Sequence, residues 1–186
     1  MNFRFVWAIC LIALCLICAK PALAQPYHQL NTSDFANGPS SDGGFIAYTN
    51  CTINFTYQPR QVIDGTYYLN FEFKLSVDHS RSWLKRSMIT SQNQLAEILK
   101  HEQGHYNLAY IEMLEMQRIF NQQHFTANYK QEVVSLFYRI DSRYKQLNVD
   151  YDEDTSHMLN RKQQNSWDLW FRRKLGNPYA YNRLSE

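Results

Sequence analysis

His101, Glu102 and His105 form a pair of histidines one helical turn apart with an acid beside the first. On an α-helix, at about 100° per residue, positions four apart share a face, so two imidazoles can reach one cation. Glu102 then stands on the flank of that face. From there its carboxylate can take a proton from a water that the metal activates. The pattern suggests metal-assisted hydrolysis with Glu102 as general base. A catalytic zinc ion generally takes three protein ligands and keeps one position open, so a third ligand must come from elsewhere in the chain.

The motif carries this meaning only on a helix, and its flanks predict one. Ser91 and Gln94 are spaced as a capping box, and residues 95–100 are mostly strong helix formers. No proline interrupts the chain between Arg60 and Pro178, and Ile98, Leu108, Met116 and Ile119 continue the face that carries the histidines. Both histidines therefore look inward. Gly104 is the one poor helix former here, and its small size allows another element to approach closely. The metal-free alternative is an amphipathic helix whose two histidines are satisfied by hydrogen bonds in the core.

Candidates for the third ligand narrow quickly. Ile111 stands where an extended motif would carry another histidine, and Glu112 lies about 10 Å along the helix axis from His105. His28 falls in an N-terminal arm, His79 at a strand end and His124 at a fraying helix end, where solvated histidines are common. His157 differs, because it closes a polar stretch, residues 151–157, expected to be a loop between two helices. Asp152, Glu153 and Asp154 in that stretch are its rivals, since two histidines and one carboxylate also form an established zinc set.

The elements that must position these groups can be traced from the start. Residues 1–24 read as a secretory signal peptide: Arg4 is the basic start, residues 5–19 are apolar, and Ala22-Leu23-Ala24 is the cleavage site. None of Cys10, Cys15 and Cys18 follows the small residue that lipoprotein processing wants. Removing 24 of the 186 residues leaves 162, a single domain. The 17 remaining Lys and Arg then balance 17 Asp and Glu, which argues against a nucleic-acid partner. Cys51, the last cysteine, has no intramolecular partner and reads as a small buried hydrophobe. No later apolar run is long enough to span a bilayer.

Residues 25–44 are rich in Asn, Ser, Asp, Gly and Pro and read as a loose N-terminal arm. Period-two alternation over 45–57 and 66–77 predicts two antiparallel strands joined by a multi-residue loop containing Asp64-Gly65. Trp83 either caps the core or lines a cleft. The long helix is expected to end near Phe125, a second helix to run over 129–147 and a third over 159–174. Strands first and helices after predict an α+β fold, with a single domain over 45–178 and a tail over 179–186.

The signal peptide, the paired strands closed by Ser82-Trp83, the His-Glu-Gln-Gly-His-Tyr helix and the late Tyr-Asp-x-x-Thr-x-His segment followed by Gln164 and Trp167 together resemble a bacterial domain family. That family is of unknown function and is predicted to comprise secreted zinc-dependent proteases. The resemblance covers roughly 45–175 and implies a zincin-like arrangement with one zinc ion: His101, His105 and His157 as ligands and Glu102 as the base. From their place in the same stretch as His157, Tyr151, Asp152, Asp154 and Thr155 are the candidate supporting groups, with Tyr151, beside the proposed ligand, also the candidate to steady an oxyanion. One departure is visible, for Met158 stands where the family motif has glycine. The expected function is a secreted or periplasmic zinc-dependent hydrolase, a peptidase foremost, acting on a peptide or protein substrate. The alternative is a non-catalytic, zinc-stabilised binding module of the cell envelope.

Overall fold

The structure, a computed structural model, describes residues 25–38 and 44–176. The expected signal peptide and C-terminal tail lie outside them. Its elements are five strands, β1 (Ala36–Asn37), β2 (Ala47–Tyr48), β3 (Cys51–Ile63), β4 (Thr66–Val77) and β5 (Trp83–Leu84), and three helices, α1 (Gln92–Gln122), α2 (Tyr129–Thr155) and α3 (Arg161–Leu175). The fold is α+β, as the order of strand and helix signals predicts.

β3 and β4 pair antiparallel from Cys51↔Val77 out to Ile63↔Thr66, so the connection is the two-residue turn Asp64-Gly65 and not a longer loop. Both turn residues have positive φ, 47° and 76°, which matches the right-handed twist of the strands it joins. Beyond Tyr57 the hairpin is exposed on both faces of β3, so burial imposes no alternation there and the ladder alone continues the strand. Pro59 sits at a register shift, where its missing N–H is tolerated. The inner half buries Leu69, Phe71 and Leu75, and the Phe71 ring meets Phe120 of α1 edge-on at 4.9 Å. The three short strands form a separate sheet in the order β1-β5-β2, with β1 parallel and β2 antiparallel to β5.

α1 is 31 residues long and lies between the hairpin on one side and α2 and α3 on the other. The Ser91 hydroxyl accepts from the Gln94 amide, whereas Gln94 Oε1 accepts from the amide of Thr90, one residue before the cap. α2 runs eight residues further than its apolar spacing indicated, so the acidic stretch 150–154 is helix and not loop. Tyr151 and Thr155, one turn apart and fully buried, pin that last stretch inward, while Glu153 and Asp154 face solvent. The helix stops at Ser156, whose φ of 47° is followed by 48° at His157 and 78° at Met158. Three consecutive left-handed residues turn the chain sharply into α3.

The arm read as loose is not loose over residues 25–38. Tyr27, Leu30 and Phe35 are buried, Gln25 exchanges two side-chain hydrogen bonds with the Leu75 backbone (2.7 and 2.8 Å), and Gln103 Oε1 accepts the Leu30 amide at 2.8 Å. A few apolar side chains in a polar stretch are enough to dock it, because the back of α1 offers Tyr106 and Tyr110 as partners. Among the described residues, no helix is long and apolar enough to cross a membrane.

Candidate metal centre

His101 and His105 project from α1 toward the end of α2, their rings perpendicular with centroids 5.0 Å apart. Asp152 reaches back from the last turn of α2, and the left-handed reversal after it brings His157, which stays exposed, up to Asp152. Asp152 Oδ1 lies 3.2 Å from His101 Nε2, 3.2 Å from His105 Nε2 and 3.3 Å from His157 Nδ1. Three imidazole nitrogens from two stretches of chain thus meet at one carboxylate oxygen. Ligand atoms about 2 Å from a tetrahedral ion are about 3.3 Å from one another, so each of these spacings suits neighbouring ligands of one metal. The set whose atoms all close to within 4.8 Å of each other is His101, Asp152 and His157, a group able to hold a metal ion. His105 joins it through Asp152.

Both α1 histidines are fixed from behind. His101 Nδ1 faces Gln164 Oε1 at 3.3 Å, and that amide is oriented by donating from Nε2 to the Tyr151 hydroxyl (2.8 Å) and Asp168 (3.1 Å). His105 Nδ1 faces Asn148 Oδ1 at 2.9 Å, and Asn148 donates in turn to the Tyr144 carbonyl at 3.0 Å. Each acceptor takes a proton on Nδ1, which directs Nε2 at Asp152. Gln164 was visible in the late motif. Asn148 was not, since nothing in an isolated asparagine of a polar helix face marks it.

Tyr151 supports the site but does not line the cleft. It is fully buried, its hydroxyl donates to the His101 carbonyl at 2.9 Å, and its ring lies 4.8 Å from that of His101 at an interplanar angle of 12°. A buried phenol so engaged cannot turn to a substrate, which corrects its expected role at an oxyanion; burial also pushes its ionisation up. Thr155 donates to the Tyr151 carbonyl at 2.6 Å and stands 3.5 Å from His101 Nδ1. Asp154 points away and accepts the Trp167 indole N–H at 2.9 Å, tying α3 to α2. Asp152, expected as a supporting group or as a rival to His157, stands in the group that could hold a metal ion.

Glu102 is buried beside the cluster, and the Thr49 hydroxyl donates to its Oε2 at 2.6 Å. Thr49 carried no signal in the sequence, being a single threonine before a strand. Burial alone would lower the pKa of His105, but the Asp152 hydrogen bond and the charges of Glu102 and Asp152 outweigh it and raise the pKa to about 9. Asp152 is held well below the usual carboxylate range: burial works against this, and its bonds to His101 and His105 prevail.

The cluster forms the floor of a cleft of about 560 Å³ with largely apolar walls that include Phe45, Tyr48, Trp83, Met88 and Leu159. Trp83 is thus a cleft residue, stacked on Tyr48 with centroids 6.2 Å apart, and Phe45 meets the His157 ring edge-on at 4.8 Å. The remaining candidates lie elsewhere. His28 pairs with Asp34, His79 and His124 are exposed, and Ile111 is in the core. Burial pushes the Cys51 thiol up to about 12, as suits an inert side chain.

The model of a family described as bacterial protein of unknown function (DUF922) matches residues 23–158, which takes in the arm, the hairpin, α1, α2 and the reversal that carries His157. No curated protein and no solved structure matches the chain.

Proposed function

Because the chain belongs to this bacterial family of unknown function, the site itself must carry the reading, and from it we infer a zinc-dependent hydrolase, a peptidase foremost. The supporting observation is the meeting of three imidazole nitrogens at Asp152 Oδ1 on the floor of a cleft, with the Glu102 carboxylate beside them. His101, His157 and either His105 or Asp152 would hold the ion, which the mixed nitrogen and oxygen donor set suits. When bound, zinc supplies Lewis acidity that polarises a carbonyl and lowers the pKa of water.

The chain's own residues supply the rest. Thr49 holds Glu102 Oε2, so Oε1 is the atom that accepts the proton of the attacking water and delivers it to the leaving amine. Gln164 and Asn148 keep His101 and His105 from turning as charge shifts during the reaction. The apolar walls seat the side chains flanking the cut bond and exclude bulk water, which strengthens every charge interaction on the floor. Residues 1–24, with the features of a signal peptide, support a secreted or periplasmic setting.

The test pairs two measurements on protein purified without metal affinity steps. Elemental analysis should find one zinc per chain, and peptide hydrolysis should be lost in Glu102→Gln while its zinc content is kept. Zinc retained without hydrolysis in the parent would point instead to a zinc-stabilised binding module. Zinc that neither copurifies nor binds on dialysis would overturn the metal site.

A further inference from the structure

Behind His105 lies a second cavity of about 300 Å³, lined by Thr49, Cys51, Glu112, Asp141 and Asn148 and sharing Tyr48, His105 and Asp152 with the main cleft. Glu112 comes from the same helix face as His105, two turns on. It is only 8% exposed, and among the described residues its Oε1 has no hydrogen-bond partner. An orphaned buried carboxyl oxygen is unfavourable unless something else satisfies it. No step at the metal centre uses this group, since the helix rise separates it from the histidines.

The chemistry of the lining selects a cation. Glu112 and Asp141 face one lysine, Lys145, which already binds Asp141 at 2.8 Å and is itself mostly exposed. Burial first, and then the Asp141 charge, push Glu112 up to about 8, the behaviour of a carboxyl that would gain from an incoming positive charge. A divalent ion needs several oxygens at once, and the only group of three metal-ligating side chains among the described residues does not include Glu112. An ammonium or guanidinium group needs one or two acceptors, and Lys145 on Asp141 shows the rim accepting such a group.

We propose that this cavity is a subsite for a lysine or arginine side chain of the substrate, with Glu112 as the carboxylate that receives it. The inference rests on the peptidase reading for the rest of the peptide, but the cavity and its orphaned oxygen do not depend on it. The two spaces adjoin, because Tyr48, His105 and Asp152 line both, and the subsite requires the side chain of a residue next to the cut bond to cross between them.

Two measurements on the full zinc-loaded protein separate the subsite from the hydrolase reading. The first follows butylammonium and agmatine binding by NMR, with butyrate as control, in the parent, in Glu112→Gln and in Asp141→Asn. Saturable binding of the cations and not of butyrate is expected, weakened about tenfold or more in Glu112→Gln, with the zinc content unchanged. Asp141→Asn removes the carboxylate beside Glu112 in the cavity and frees Lys145 to compete for Glu112, so it too is expected to weaken cation binding, and it supplies the readout should Glu112→Gln fail to fold. The second compares kcat/KM for paired peptides carrying lysine or norleucine beside the cut bond. The parent should prefer lysine, and the ratio should fall toward one in Glu112→Gln. Cleavage with no preference for lysine and no cation binding would overturn the subsite and leave the hydrolase. Cation binding that needs Glu112, in a protein that cuts nothing, would uphold the cavity's ligand class and overturn the hydrolase.

Discussion

A methyl group on Gly104 would stand 2.2 Å from the Tyr151 hydroxyl oxygen and 2.3 Å from the ring carbon that bears it. The glycine inside the two-histidine motif is therefore a steric requirement of the residue that backs His101. Tyr151 is fully buried and cannot step aside without leaving the His101 carbonyl and Gln164. Gly104→Ala should destabilise the protein by about 1–3 kcal/mol, the range for overpacking a close-packed interior. It should also lower zinc occupancy through displacement of His101. Thermal unfolding together with zinc content checks this, and an unchanged melting temperature would contradict the contact.

Metal binding should be strongly pH-dependent. His105 in the metal-free protein has its pKa raised from 6.5 to about 9 through Asp152 and Glu102. At neutral pH an ion that takes His105 as a ligand must therefore expel a proton. Apparent affinity should rise about tenfold per pH unit until it flattens near 9. Calorimetry in buffers of differing ionisation enthalpy should count one proton released at pH 7. The sign reverses for metal-free stability: the raised pKa of His105 stabilises the fold fully below 6.5, and that contribution fades as pH rises through 9. Asp152, held below its ordinary 3.8, adds stability above that value and loses it on acidification. Asp152→Asn should bring the His105 titration, followed by NMR, back down.

Ligands and the groups that orient them should separate by magnitude. Asn148 meets His105 at its far nitrogen, and Gln164 meets His101 at its own. Asn148→Ala and Gln164→Ala should each weaken zinc binding about 10- to 100-fold, as loss of a ring's orienting partner does. His157→Ala and Asp152→Ala each remove a member of the group able to hold the ion and should weaken it further. Competition with a chelator of known affinity ranks the four variants. Equal zinc affinity in His157→Ala and the parent would remove it from the site.

What the sequence made legible follows from where burial imposes a period. The face of α1 with Ile98, His101, His105, Leu108 and Met116 is covered along its length, so its spacing marked the helix and the direction of both histidines. Beyond Tyr57 the β3 strand of the hairpin is exposed, so its polar residues read as loop although the ladder runs on to Ile63; the chain after α1 covers only the β4 side there, where Tyr67 bridges to Phe125 and stacks on Tyr129. The end of α2 misled for a related reason. Only Tyr151 and Thr155 face inward among the acidic residues, too few to show a helical period, and so Asp152 was placed in a loop when a helix aims it at the histidines. Thr49 acquires its role only when β2 and α1 come together, a contact between residues 53 positions apart.

Met158 tests the reversal that delivers His157. Its φ of 78° lies in the left-handed region, where an L side chain costs about 1–2 kcal/mol relative to glycine. This gives a physical reason for the glycine expected after the histidine: a backbone requirement, which this chain meets with methionine. Met158 offsets part of the strain by packing, half-buried, against the core. Met158→Gly should therefore keep the fold and the zinc affinity, the lost packing balanced by the easier backbone. Met158→Ile keeps the apolar bulk but places a branched Cβ where the backbone tolerates it least. It should lower zinc affinity and the melting temperature together, as Ser156 and His157 are pulled from their own left-handed geometry. If the glycine variant loses zinc and the isoleucine variant keeps it, side-chain packing and not backbone conformation holds His157 in place.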